Sequence, residues 1–166
     1  MKFNLTKSLF LVLLAFILSI LDTSFFSFIP ILGATIISSY ITIINFSITG
    51  KTNDFLIFTI SVIFFFSAFS SLPVWMIVLT FLLIPYLIHY VKNHFFPDPS
   101  APFSIAFFMA GTFLFSLISL IYGKEWNMTG VILVSSFIFV NSLFGVFLYY
   151  ISRKIKKNFT GKDINF

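Results

Sequence analysis

The sequence predicts an all-α polytopic membrane helix bundle of about six transmembrane helices, and three observations carry that prediction. The chain is 59% hydrophobic and only 9% charged, with a mean hydropathy of +1.08, where a soluble domain carries about 25% charged residues. Its apolar stretches show no sustained alternation of polar and apolar residues, and backbone in hydrocarbon is satisfied only as helix or closed barrel, so helices are favoured. The basic residues segregate by loop, as short cytoplasmic connections require.

Spans fall near residues 8–27, 31–49, 55–71, 74–91, 103–122 and 129–151, so residues 1–152 form a single bundle and 153–166 a basic tail. The first span follows Lys2 and Lys7 and resembles a signal sequence. No small-residue cleavage site follows it, and Asp22, Phe25 and Phe26 come next, so it reads as a retained helix.

The apolar run from Phe55 to Val91 would be roughly 55 Å long as one helix, against a ~30 Å hydrocarbon core. Ser70-Ser71-Leu72-Pro73 divides it into two spans joined by a tight turn, with Pro73 predicted in a first helical turn, where its missing N–H costs nothing. Charge supports that division. With the N-terminus inside, Lys2, Lys7, Lys51, Lys92, Arg153, Lys154, Lys156, Lys157 and Lys162 share the inner side, and Lys124 alone lies outside. Both termini are therefore expected in the cytoplasm.

Polar residues inside the spans are the candidates for function. Thr35, Ser38, Thr42, Asn45 and Thr49 recur at spacings of three and four, which puts them on one face of the second helix. Two readings fit: the wall of a substrate cavity, or hydrogen-bonding contacts between helices. The last span carries a similar face through Ser135, Ser142, Gly145, Tyr149 and Ser152, with Asn141 adjacent, and the fifth offers the small pairs Ala106/Ala110 and Thr112/Ser116.

Few ionisable residues approach the hydrocarbon. Asp22 is expected among the headgroups, His89 at the inner end of the fourth span, His94 in a loop, and Asp54 and Asp98 on inner loops. The chain has no cysteine, so thiolate catalysis and Cys-based metal sites are excluded. No two carboxylates and no His/carboxylate pair converge on one face of one span. No catalytic residue, metal ligand or cofactor site is therefore assigned. The Pro97/Pro99/Pro102 connection reads as a stiff spacer or a docking loop. The tail cluster Arg153, Lys154, Lys156 and Lys157 is expected to rest on anionic membrane lipid, and nucleic acid is not needed to explain it.

Three stretches carry a family resemblance: SSLPVWMIVLTFLLIPYLI, AGTFLFSLISLI and NSLFGVFLYYISRKIKKNF. They are similar to the small-residue turn, Pro and apolar span, to the fifth helix, and to the Asn-bearing last helix with its basic tail, of the MreD family. The chain departs from that pattern at Gly33-Ala34-Thr35 and at Ser67-Ala68-Phe69-Ser70. The resemblance implies a non-enzymatic adaptor of the rod-shape machinery in the bacterial inner membrane. Its partners would be an MreC-like single-span protein, a wall-synthesis glycosyltransferase and transpeptidase pair, and the cytoplasmic MreB filament. A second expectation is the substrate-binding component of an energy-coupling-factor vitamin importer, with the polar face of the second helix as its pocket and Trp75 or Trp126 capping it.

Overall fold

A computed structural model describes residues 5–28, 31, 34–96, 100–123 and 128–160, with the side chains of 122–123, 128–129 and 156–160 outside the described set. Helix α1 (Leu5–Ile20) runs on through a π-helical turn at Leu21–Phe25. Then come α2 (Ser38–Thr49), α3 (Thr52–Phe69) and α4 (Val74–Val78). A second π-helical turn at Leu79–Leu83 joins α4 to α5 (Ile84–Phe95), and the chain ends in the long helices α6 (Ala101–Gly123) and α7 (Met128–Thr160).

Five of these stretches are long and apolar enough to cross a membrane: Leu5–Phe25, Thr52–Phe69, Val74–Phe95, Ala101–Ile121 and Gly130–Ile155. The expected span at 31–49 is not one continuous helix. Only its last 12 residues are helical, about 18 Å of helix, too short to span alone. The physical reason lies upstream, where the sequence places Pro30 and Gly33, the two strongest helix breakers. Ile31 and Ala34 there exchange backbone hydrogen bonds of 2.8 and 3.0 Å in an isolated bridge, and Thr35 to Ile37 are non-helical.

The break at Ser70 to Pro73 is a turn between two helices, as the sequence indicates. Ser70 is extended, its Oγ accepts from the Leu72 N–H at 3.1 Å, and α4 starts after Pro73. Pro73 sits one place earlier than expected, as the N-cap, with its carbonyl accepting from the N–H groups of Met76 and Ile77. Pro85 lies just after the second π-helical turn. A proline offers no N–H and crowds the carbonyl four residues back, here that of Phe81, so the wider turn absorbs it without ending the helix.

Directions follow from a few pairings. Lys7 and Asp54 form an ion pair at 2.6 Å, which sets the starts of α1 and α3 side by side. Asn141 meets Ile37 and Ser152 meets Asn45, so α2 and α7 run parallel. Phe115 stacks on Phe137 and Phe108 packs on Gly145, so α6 and α7 are antiparallel. Lys7, Lys92 and Arg153 consequently border one cavity at one end of the bundle.

The core centres on α2, where Tyr40, Ile41, Ile43 and Ile44 are fully buried. The Tyr40 ring sits 5.3 Å from Phe81 and 4.8 Å from Phe115, and its hydroxyl donates to the Gly111 carbonyl at 2.8 Å. Lipid tails are as apolar as these side chains, so close packing and interhelical hydrogen bonds hold such a bundle together. Small residues permit the approach. A Cβ added at Gly111 would lie 2.6 Å from Ile44, and one at Gly145 would lie 2.4 Å from the Phe108 ring.

Gly145→Ala is therefore expected to cost about 1–3 kcal/mol through overpacking, read as a lower thermal midpoint in detergent, with Phe108→Leu in the same chain recovering most of it. An unchanged midpoint would show that α6 and α7 separate without cost.

Candidate functional site

A helix whose first turn is buried leaves its leading N–H groups without water, so something in the protein must accept from them. Here the acceptor is Asp22. Its Oδ1 accepts from the Ser38 N–H at 2.8 Å and the Ser38 hydroxyl at 2.6 Å. Its Oδ2 accepts from the Ser39 N–H at 2.8 Å and from the Ser39 hydroxyl. Asn141 on α7 completes the cap: its Oδ1 accepts from the Ile37 N–H at 3.0 Å, while its Nδ2 donates to the carbonyls of Thr35 and Phe137 at 3.0 Å. The helical ladder then starts with the Ile41 N–H on Ile37. A carboxylate at a helix N-terminus also opposes the positive end of the helix dipole.

Asp22 is only 7% exposed, buried against the first turn of α2. Ser39 was not singled out from sequence. The signal was present in the Ser38-Ser39 pair following a Pro/Gly break, which is an N-cap pattern.

At the opposite end of α2, the His89 ring is buried and stacked on Phe55 with centroids 5.0 Å apart. A carbonyl only accepts, so Nδ1 donates to the Ser47 carbonyl at 2.8 Å. Nε2 lies 3.1 Å from the Thr52 hydroxyl and 2.9 Å from the Asn93 amide nitrogen. Both ring nitrogens are thus used to join α2, α3 and α5. His94, expected in a loop, is in the last turn of α5 and exposed. Asp54 is in the first turn of α3, while Asp98 and Trp126 lie outside the described residues.

The predicted polar face of α2 divides three ways. Ser38 is bound to Asp22, and Thr35 precedes the helix, so it does not share the face. Thr42, Asn45 and Thr49 border a groove of about 1110 Å³ between α1, α2 and α7, together with Ser152. Within it, Thr42 and Thr49 donate to the Ser38 and Asn45 carbonyls, and Asn45 Nδ2 donates to Ser152 at 2.7 Å. Asn45 Oδ1 is buried without a hydrogen-bond partner. Thr35 borders two smaller cavities, one of about 360 Å³ against α6 and α7 and one of about 270 Å³ beside Asp22.

The other sequence candidates also separate. Ser142 is buried, 3.2 Å from the Thr112 hydroxyl, and Ser116 donates to the Thr112 carbonyl. Asn141 is fully buried and Gly145 forms the contact with Phe108. Ser135, Ala106 and Ala110 are exposed on the surface of the bundle, and on α6 the close approach to α2 is made at Gly111. Arg153 and Lys154 are exposed on α7, which continues as helix to Thr160, and the side chains of Lys156 and Lys157 lie outside the described residues. Trp75 is exposed and borders none of these three cavities.

No protein-family model, curated protein or solved structure matches this chain. The chemistry of the site has to be read from its own residues. Among the described residues, no group of three or more His, Asp or Glu is placed to hold a metal ion.

Replacing Asp22 with Ala leaves the Ser38 and Ser39 donors unpaired. The expected loss is about 3 kcal/mol, or roughly 6–12 °C in thermal midpoint for a chain of this size. Circular dichroism melting in detergent checks it. Ser38→Ala, which removes one of the four bonds, is expected to fall between that variant and the wild type.

Proposed function

We propose that this chain is a non-enzymatic scaffold of the bacterial plasma membrane, an adaptor that links cell-wall synthesis to the cytoskeleton in the cell-shape machinery. The observation that supports it is how the chain uses its buried ionisable groups. Asp22 spends both oxygens on the start of α2, and His89 spends Nδ1 on its end and Nε2 on Thr52 of α3 and Asn93 of α5. Intramembrane ionisable residues ordinarily mark transport or catalysis. Here they position a helix. The likeness of SSLPVWMIVLTFLLIPYLI and the Asn141-bearing last helix to the MreD family points the same way, and an MreC-like protein, wall-synthesis enzymes and an MreB filament are the partners it implies.

The topology belongs to the same reading: six crossings, the second made by the extended stretch and α2, with both termini in the cytoplasm. Nine of the ten Lys and Arg residues then lie inside.

A second reading has its own support. The cavities of about 360 and 1110 Å³ reach the ~300 Å³ of a small-molecule pocket. Thr35 borders the first, and Thr42, Asn45 and Thr49 border the second, as a vitamin-binding importer subunit would require.

The deciding experiment is purification of the tagged chain from its native membrane in mild detergent, with co-purifying proteins identified by mass spectrometry. A single-span coiled-coil protein with wall-synthesis enzymes or an actin-like filament supports the scaffold. A pair of ATPases with a second membrane subunit supports the importer instead.

Topology is testable directly, because the chain has no cysteine of its own. Ser71→Cys is expected to react with a membrane-impermeant maleimide on intact cells, and Asn93→Cys only after permeabilisation. The reverse pattern would invert the orientation.

A further inference from the structure

The groove between α1, α2 and α7 has a polarity that a general packing defect does not require. All of its cations are at one end: Lys7 on α1, Lys92 on α5 and Arg153 on α7. Three elements distant in sequence bring them to one rim, where one carboxylate, Asp54, pairs with Lys7. From that rim the wall becomes apolar along Phe10, Leu14 and Leu18 on one side and Leu148 on the other. Lys7 and Leu18 are eleven residues apart, so the groove extends about 16 Å along α1. Between rim and depth lies a polar step made by Thr42, Asn45 and Ser152. Asn45 is more than nine-tenths buried, yet its Oδ1 accepts no hydrogen bond.

We propose that this groove binds one anionic phospholipid of the phosphatidylglycerol type. The phosphate sits at the Lys7, Lys92 and Arg153 rim, the ester groups of the glycerol backbone lie at the Thr42 and Ser152 step, and the acyl chains lie along Leu14, Leu18 and Leu148. Charge complementarity selects the headgroup, since basic pockets between helices favour anionic lipid. The ordering of cations, hydroxyls and apolar wall matches phosphate, glycerol esters and tail in sequence. A free phosphate would use only the rim, and a zwitterionic lipid carries an ammonium that the rim cations oppose. The site stands independently of which cellular role the protein serves.

The test uses the full chain purified in a neutral detergent. Native mass spectrometry compares retention of dioleoyl phosphatidylglycerol with dioleoyl phosphatidylcholine. The wild type is expected to keep the anionic lipid preferentially. Lys92→Gln with Arg153→Gln leaves the Lys7–Asp54 pair intact and is expected to weaken that retention by about 25-fold, at about fivefold per charge. A phosphatidylglycerol carrying a diazirine near the chain end is expected to crosslink to peptides containing Leu14, Leu18 or Leu148. The wild-type comparison and the crosslink need no variant to fold. Equal retention of the two lipids, displacement of the lipid by millimolar inorganic phosphate, or crosslinks confined to other faces would overturn the proposal. So would a protein helix from a co-purifying partner crosslinked in the groove.

Discussion

The structure depends on one interaction, the carboxylate of Asp22 on the first turn of α2. A helix cannot start within hydrocarbon unless its leading N–H groups are accepted by protein. Asp22 and Asn141 do this from opposite sides, one on the first helix and one on the last. The cap therefore ties the beginning and the end of the chain to the same central element. It also lets a short helix occupy the middle of the bundle, because its leading N–H groups are paired where they are buried.

Around that point the packing is built from close approach. Gly111 admits Ile44 and Ile88, and Gly145 admits Phe108. The aromatic group Tyr40, Phe81 and Phe115, with Phe66 against Phe81, fills the space between α2, α3, the second π-helical turn and α6. Most hydroxyls in the helices donate to carbonyls three or four residues back, as Ser19, Thr42, Ser61 and Thr80 do. Such bonds satisfy a polar group inside its own helix and leave the interhelical work to a smaller set that includes Asp22, Tyr40, Asn45, His89, Thr112, Asn141 and the Lys7–Asp54 pair.

The same economy shapes the candidate sites. Where a polar residue of α2 is satisfied by the fold, as Ser38 is, it belongs to the cap. Where satisfaction is incomplete, at Asn45, the residue borders a groove with basic residues at its mouth. The gap between helices is thus polar at one level, charged at the next and apolar beyond. A bundle that holds its centre rigidly through α2 leaves such a groove open beside it without loss of order.

The class of the protein, its helical hairpin at Ser70 to Pro73 and the ends of most helices were legible in the sequence, because they follow from local physics. Hydropathy marks what can sit in lipid, and proline marks where a helix starts. The grouping of Lys7, Lys92 and Arg153 at one end was also legible, since the basic residues recur at every second connection. The half-length of α2 was not, because an apolar run such as Ile31 to Ile37 has the same hydropathy whether helical or extended. Nor was the role of Asp22. Its burial, its pairing with Ser38 and Ser39, and the convergence of α1, α2 and α7 on one groove all join residues far apart in the chain. Only the tertiary structure decides such pairings, because sequence periodicity defines the face of one helix and says nothing of the neighbour that face will meet.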